Sequence, residues 1–374
     1  MNRIITLLKK ELMLSVSLAV AAISLFITPP SKDLLSAIDW RTLATLFMLL
    51  SVLEGFKTQN IFAPLLRFTS RISSVRNLTI FFVFSVFLSS MFVTNDVSLI
   101  IFVPLTILMF RTGGKEKYII PVLTFENIAA IRGSLLTPFG SPQNLYLFSK
   151  SGIPVCQFLL TMLPLWLGSA LLLFLFILFL YRKDPKEKLE INGSAVHREC
   201  DVKKRTVHII LFAAVIFMIV TRNQYWPFFT LGVLAALLIF DPQILLKTDY
   251  VLLLTFLCFF VFSSSICSNP RISEFLGKAV SGNEYWWSIL LSQVISNVPA
   301  SIVLWPFSTN LKALLYGLDS AGLCSIIGSL ASVINLRIYT REYPDKTTDF
   351  LKGFQIISLA FFALVVLPQF FLSR

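Results

Sequence analysis

The feature that most constrains the fold is a recurrence of apolar runs about 20 residues long, the length at which an α-helix crosses a ~30 Å hydrocarbon core. Such runs fill most of the 374 residues, and the mean hydropathy is +0.79. Hydrophobic residues make up 56% of the chain and charged residues 14%, whereas soluble domains are roughly half apolar and a quarter charged. The sequence therefore predicts an all-α polytopic membrane protein with a single integral membrane domain over residues 1–374.

The runs predict nine helical segments, two of them broken, and two helical hairpins that each enter and leave on one side of the membrane. The first run follows basic residues, as in a signal peptide, but no small-x-small cleavage site follows it, which favours a retained helix. Amphipathic stretches at 60–76 and 270–282 are expected to lie along the membrane surface. The predicted segments are 12–28, 41–56, 119–148 (broken), 156–181, 207–222, 226–240, 249–266, 312–336 (broken) and 350–372, and the hairpins are 78–110 and 284–308.

The net charge of +12 could indicate a nucleic-acid partner, but the placement of the basic residues argues otherwise. With the N-terminus inside, 23 of the 32 Lys and Arg residues fall in segments on the inner side. Such an excess is the positive-inside bias of membrane proteins. The charge therefore predicts a cytoplasmic N-terminus and an outside C-terminus at Arg374, and no nucleic-acid partner.

A polar linker at 182–206, predicted to be cytoplasmic, separates two halves that contain the same motifs. A shift of 202 residues aligns "SMFVTNDVSLIIFVPLT" (90–106) with "SQVISNVPASIVLWPFS" (292–308), and a shift of 188 aligns "GSLLTPFGSPQNL" (133–145) with "AGLCSIIGSLASVI" (321–334). The helices after Asp39 and Asp249 run in opposite directions under the predicted topology. We therefore predict two inverted-topology repeats, at 29–181 and 207–374, each with a re-entrant hairpin and a broken transmembrane helix.

Paired interruptions of this kind have a physical use. Unwound backbone survives at membrane depth only where it is packed in protein or lines a wet cavity. The half-helix ends at such a break offer carbonyl groups to a cation and N–H groups to an anion, and in inverted repeats they indicate the substrate site of a secondary transporter.

The motifs resemble those of the ion transporter superfamily. The hairpin tips "TND" (94–96) and "SNV" (296–298) are similar to the Ser-Asn-Thr tips of divalent anion/sodium symporters. The breaks "GSPQN" (140–144) and "GSLAS" (328–332) are similar to those of the wider group of citrate carriers, arsenite permeases and NhaD-like antiporters. The length of the chain and the sequences of its motifs are most similar to those of YbiR-like inner-membrane permeases. The resemblance covers residues 39 to about 372 and implies a multi-pass inner-membrane transporter.

The resemblance also implies the site residues. One cation site would comprise Ser90, Thr94, Asn95 and Gly140, and the other Ser292, Ser296, Asn297 and Gly328, with Na⁺ as a candidate ion. The i,i+4 spacing of the Ser and Thr residues puts each hydroxyl pair on one helix face. An alternative is that these polar residues only join helices, although their repetition favours a site. The implied substrate-binding residues are Thr94, Asn95, Asp96, Thr137, Ser141, Asn144, Ser296, Asn297, Ser325 and Ser329.

The third tip position separates this chain from the symporters, and Arg132 is a further charge within a predicted span. Asp96 stands at a tip position where they carry Thr, and a carboxylate there would repel a dicarboxylate unless a proton or a cation neutralised it. Asp96 therefore suggests a proton-coupled step or a transported cation, unless it only caps the following half-helix. Arg132, just before the first break, is a candidate partner for an anion or for Asp96, with pairing to Glu126 as the alternative.

These features favour a secondary transporter of a small anion, a carboxylate or oxyanion, coupled to Na⁺ or H⁺, with a cation/proton antiporter of the same fold as the alternative. An enzyme is disfavoured because no H-E-x-x-H or G-x-S-x-G motif is present, and a primary pump because no G-x-x-x-x-G-K-[ST] loop is present. We expect no cofactor beyond the coupling ion, a small-molecule or ion substrate, and surrounding lipid. Assembly as a homodimer is left open.

The predicted topology can be tested with single cysteines at Lys183 and at Arg374 in a cysteine-free background. We expect a membrane-impermeant maleimide to label position 374 in intact cells and position 183 only after the membrane is opened. Labelling of both positions from the same side would contradict the inverted arrangement.

Overall fold

The computed structural model describes residues 12–27, 36, 38–59, 72, 74–184, 187 and 201–374. Within these residues the regular structure is helical, which confirms the predicted all-α class. The predicted linker and the stretch 60–76 lie mostly outside the described residues. The helices are α1 (Leu12–Ile27), α2 (Trp40–Thr58), α3 (Val75–Val93), α4 (Asn95–Thr112), α5 (Ile119–Ser134), α6 (Pro142–Ser151), α7 (Val155–Leu180), α8 (Val202–Thr221), α9 (Trp226–Phe240), α10 (Gln243–Lys247), α11 (Tyr250–Cys267), α12 (Pro270–Val280), α13 (Glu284–Ile295), α14 (Asn297–Leu304), α15 (Leu311–Ala321), α16 (Leu330–Glu342) and α17 (Thr347–Ser373).

Among the described helices, six are long and apolar enough to cross a membrane: α3, α4, α7, α8, α11 and α17. The two segments predicted to be broken are each divided into two helices. The first is α5 followed by α6, and the second is α15 followed by α16. The polar motifs at 135–141 and 322–329 therefore lie between helices, as their Gly, Ser and Pro residues favour.

The two predicted hairpins are present but unequal in length. The arms of hairpin 1, α3 and α4, have 19 and 18 residues, whereas those of hairpin 2, α13 and α14, have 12 and 8. At 1.5 Å per residue α3 is about 28 Å long, nearly a membrane thickness. Nevertheless, Thr94 and Asn95 at the turn are only 5% exposed each, so hairpin 1 ends inside the protein rather than at a far surface.

The long helix α7 shows how the hairpins are placed. Near its C-terminal end, Tyr181 contacts the base of hairpin 1, because its hydroxyl lies 2.8 Å from Thr79 Oγ1 and its ring 4.8 Å from that of Tyr118. Near its N-terminal end, the Thr161 carbonyl accepts a 2.7 Å hydrogen bond from Tyr316 of α15, the helix that follows hairpin 2. The bases of the two hairpins thus lie near opposite ends of α7.

The apolar core is divided in the same way. One cluster holds the arms of hairpin 2 and the N-terminal part of α7, including Phe158 and Leu165. The other holds the arms of hairpin 1 and the C-terminal part of α7, including Leu173 and Ile177. Contacts also cross between the halves, since α4 packs on α16 and α14 packs on α6. Each hairpin therefore lies against the helix that follows the other half's break.

A glycine permits a close backbone approach at each break. A Cβ on Gly140 would lie 2.1 Å from the carbonyl oxygen of Ser134, and a Cβ on Gly328 would lie 2.2 Å from that of Ala321. In both cases the carbonyl belongs to the end of the preceding helix, so no side-chain rotation can relieve the clash.

We expect Gly140→Ala and Gly328→Ala each to destabilise the protein by about 1–3 kcal/mol, the typical range for overpacking, because backbone must move. Gly168→Ala on α7 is the matched control, since a Cβ there has no neighbour within 4 Å. Thermal unfolding of the detergent-purified variants measures the effect. Equal stability of the break variants and the control would show that the close approach is not a constraint.

Candidate functional site

The two hairpin tips share one unusual backbone conformation. Thr94 has φ 70° and ψ 159°, and Ser296 has φ 67° and ψ 159°. Arg222 is the one other non-glycine residue with positive φ among the described residues. This region is almost restricted to glycine and costs about 1–3 kcal/mol per residue, so it persists only where the surrounding structure imposes it. Such strain often lies at ligand sites, and here it recurs at equivalent positions of two hairpins.

Each hairpin is hydrogen-bonded to the break of its own half at equivalent positions. Thr137 Oγ1 donates a short hydrogen bond to the carbonyl of Met91, and Ser325 Oγ donates to Gln293 Oε1 at 2.6 Å. Thr137 and Ser325 correspond under the shift of 188 residues, and Met91 and Gln293 under the shift of 202. The residues that the two alignments match are therefore the residues that form this contact, and the contact is made once in each half.

In the second predicted cation site, the tip residue Asn297 and the break residue Gly328 are in direct contact. The backbone N–H of Asn297 donates to the Gly328 carbonyl at 3.2 Å, so this tip faces its break. The Asn297 side chain donates to the Leu318 carbonyl at 3.4 Å. Ser292, fully buried, donates to its own helix at the Ser288 carbonyl. Its oxygen therefore keeps lone pairs available but no free proton.

In the first predicted cation site, the tip and the break are not joined by a direct hydrogen bond among the described residues. Ser90 donates to the Phe87 carbonyl at 3.0 Å, and Asn95 Oδ1 accepts the N–H of Asp96 at 2.9 Å. In the described part of the chain, no hydrogen bond connects Asn95 with Gly140. Thr94, Asn95 and Thr137 are all buried, and the link between this tip and its break runs through Met91 instead.

A buried carboxylate that sequence reasoning missed joins the two halves. Asp319 on α15 is 1% exposed, and its two carboxylate oxygens accept hydrogen bonds from Gln143 at 3.0 Å and Asn144 at 3.1 Å. Both amides are on α6 of the first half. Arg132, also fully buried, donates to the backbone carbonyl of Asp319 at 3.2 Å. Asn144, predicted to bind substrate, is thus held at this junction.

These contacts bear on one alternative for Arg132, its pairing with Glu126, and its roles towards an anion and Asp96 stay predictions. Its hydrogen bond goes to Asp319, whereas Glu126 on the same helix accepts a short hydrogen bond from Thr106 of hairpin 1. Pairing of Arg132 with Glu126 was therefore wrong. The signal for Asp319 was present in the sequence, since a lone carboxylate in the apolar run "KALLYGLDSAG" marks a functional position in a membrane helix.

Several buried polar atoms at the tips and breaks lack a hydrogen-bond partner among the described residues. Native proteins satisfy nearly all buried polar groups, so a concentration of unsatisfied atoms marks a place where a ligand or water binds. The oxygens are of the type that hard cations prefer, and the guanidinium nitrogens match an oxyanion or carboxylate. In this region the unpartnered atoms are Asp96 Oδ1, Ser141 Oγ, Asn144 Oδ1, Gln143 Oε1, Ser296 Oγ, and Arg132 Nε and Nη2.

The junction at Asp319 can be tested by exchanging its donor and acceptor. We expect Asp319→Asn to destabilise the protein by about 1–3 kcal/mol, because at least one buried amide of α6 loses its acceptor. Adding Asn144→Asp should restore part of that loss, since an amide at 319 can then donate to a carboxylate at 144. The exposed Asp349→Asn is the control, and thermal unfolding is the measurement. Additive losses in the double variant would contradict the contact.

Comparisons with known proteins identify the family of the chain. A family model described as citrate transporter matches residues 4–334, which include both tips and both breaks. The inner membrane protein YbiR of Escherichia coli (strain K12) is 32% identical over 322 residues, or 84% of this chain and 84% of that protein. The uncharacterized transporter MJ0456 of Methanocaldococcus jannaschii is 29% identical over 325 residues, or 86% of this chain and 87% of that protein. The predicted resemblance is confirmed, and the protein is a membrane transporter rather than an enzyme. The chain belongs to the citrate transporter family.

Proposed function

We propose that the protein is a secondary active transporter of a small anion, a carboxylate or an oxyanion, coupled to Na⁺ or H⁺ and working by alternating access. The observation that carries the proposal is the identical strained turn at two buried tips, Thr94 and Ser296, each hydrogen-bonded through its hairpin to a break. The inner membrane is the proposed location, because the related YbiR is named an inner membrane protein.

Arg132 supports an anion as the solute. Its guanidinium is fully buried, and only Nη1 has a partner, while Nε and Nη2 have none among the described residues. An unpaired cation inside a membrane is costly, and the planar fork of a guanidinium matches a carboxylate or an oxyanion in two hydrogen bonds. A bound anion would satisfy both free nitrogens.

The carboxyl groups support a coupling cation. Asp96, Glu126 and Asp319 have carboxylate oxygens in the protein interior, and of these three only Asp319 is hydrogen-bonded to Arg132, the buried basic residue of the first break. Ionised carboxylates at this depth need compensation by protons or by bound cations. Na⁺ would find oxygen ligands at the second tip in Ser296 Oγ, Asn297 and the Gly328 carbonyl, which keeps a lone pair beside its hydrogen bond to Asn297.

The hairpins provide a physical route to alternating access. Because their bases lie near opposite ends of α7, each would close the site towards one side. Loosening the packing of one hairpin on the opposite half, α4 on α16 or α14 on α6, would open one side while the other stays closed. Cation and anion bound together would neutralise the site and permit the exchange.

A cation/proton antiporter is the second candidate, and Asp96 favours it. The two tips are otherwise alike, but Asp96 corresponds to the apolar Val298, so one tip alone carries a titratable group. Its Oδ1 is buried without a partner among the described residues. An antiporter would exchange protons and cations through this carboxyl group and would move no anion.

We expect Asn95→Ala and Asn297→Ala each to reduce coupled transport by at least about 100-fold while the protein stays folded in the membrane, because each removes a buried amide from one tip. The estimate corresponds to a loss of about 3 kcal/mol, the upper range for a hydrogen bond to a charged group. Gln157→Ala, an exposed amide on α7, is the control. The measurement is flux into proteoliposomes per correctly inserted protein. Near-normal flux in either tip variant would leave the tips with a packing role only.

A further inference from the structure

Two arginines, Arg41 and Arg222, line a small pocket where three helices meet, away from the hairpin tips. The pocket is lined by Arg41, Thr42 and Thr45 at the start of α2, by Phe148 and Ser149 near the end of α6, and by Arg222, which follows α8. All three helix ends are on the side predicted to face outside. The pocket lies at the C-terminal end of α6, whereas Ser141 of the first break lies at the N-terminal end of that helix.

The two guanidinium groups are not paired with an acidic residue among those that the structure describes. Within the described part of the chain, neither Arg41 nor Arg222 makes an ion pair within 4.0 Å. Burial lowers the pKa of Arg222, and repulsion from Arg41 lowers it further. Two like charges that share a pocket destabilise the protein unless an anion lies between them.

The carboxylate closest to Arg41 in the sequence, that of Asp39, is already engaged. Asp39 caps α2 by accepting the N–H of Thr42 at 3.0 Å, also accepts the Thr42 hydroxyl at 2.8 Å, and pairs with Lys150 at 3.1 Å. Its charge is matched by Lys150, so no acidic side chain in the described part of the chain is seen to balance the two arginines.

The Arg222 side chain is fixed by contacts with Phe148, and one of its N–H groups has no partner among the described residues. It donates to the Phe148 carbonyl, and its guanidinium carbon lies 4.0 Å from the centre of the Phe148 ring. Its backbone is left-handed, at φ 49° and ψ 40°. Its Nε is buried and has no partner among the described residues. A fixed guanidinium with an unused N–H is suited to an oxyanion, which accepts charge-assisted hydrogen bonds.

We propose that the pocket between Arg41 and Arg222 is a second anion site, distinct from the tips, that binds a small oxyanion such as sulfate or a phosphate group. Bound there, the anion would join α2, α6 and α8 at the outer end of the helix that begins at the first break. The site does not depend on the transported solute, so it can be tested without flux.

The test is equilibrium binding of radiolabelled sulfate to the full-length protein in detergent at constant ionic strength. We expect saturable binding that weakens by at least about tenfold in Arg41→Gln, because one of two charge-assisted partners is lost. Arg41 is the better probe, since Arg222 also binds the α6 carbonyl. Arg271→Gln, an exposed arginine on α12, should bind sulfate as the wild type does.

The tip variant Asn95→Ala separates this proposal from the proposed transport function. Retained sulfate binding in Asn95→Ala together with its loss in Arg41→Gln supports a distinct site, whatever solute the protein moves. Loss in Asn95→Ala with retention in Arg41→Gln would place the anion at the tips and overturn the proposal. Absence of saturable binding of both sulfate and phosphate in the wild type would overturn it as well.

A lipid headgroup could supply the same phosphate chemistry. Nanodiscs of phosphatidylcholine with and without phosphatidylglycerol distinguish the two sources. A site for the free ion binds sulfate equally in both, whereas a headgroup site loses sulfate binding when phosphatidylglycerol is present. Sulfate binding by Arg41→Gln that matches the wild type in both nanodiscs would contradict either form of the proposal.

Discussion

Unwound backbone inside a membrane protein must have its N–H and C=O groups satisfied by protein, because hydrocarbon offers no partner. This requirement governs both tips and both breaks of the chain. The Asn297 N–H is satisfied by the Gly328 carbonyl, and the Met91 carbonyl by Thr137. At these two contacts the hairpin and the break of one half satisfy each other's polar groups, and other backbone groups of the breaks are satisfied by local turns, such as Gly140 N–H by the Thr137 carbonyl. An equivalent contact between hairpin and break is made in each half.

The division of the apolar core has the same origin. The two clusters pack around the two hairpins, and polar side chains of the tips and breaks lie where the hairpins end. Asp319 and Arg132 lie in this polar region and connect the halves, because Asp319 accepts amides from α6 while Arg132 donates to its backbone. A ligand in this region would contact both halves at once. That placement makes ligand binding sensitive to how the halves are packed, because a ligand favours the packing to which it binds more tightly.

Sequence patterns predicted the helices, the two tips and the two breaks because interruptions by Gly, Ser, Asn and Pro recur at fixed shifts in apolar runs. The conformation of Thr94 and Ser296 could not be predicted, since nothing in either residue type favours a positive φ. The partner of Arg132 was also beyond the sequence, because a choice between Asp96, Glu126 and Asp319 depends on how α5 and α15 pack. The longer arms of hairpin 1 were underestimated by a few residues at each end, where Val75 and Thr112 extend the helices. Membrane orientation and the roles of the site residues remain predictions.

The central claim is that the paired tips bind an anion together with a coupling ion. The most direct measurement is accumulation of radiolabelled citrate, phosphate or sulfate in proteoliposomes, with Na⁺ and pH gradients imposed one at a time. The account predicts that at least one small anion accumulates above its outside concentration under one of the two gradients and leaks back when that gradient is dissipated. Exchange of Na⁺ for protons with no movement of any anion would contradict it.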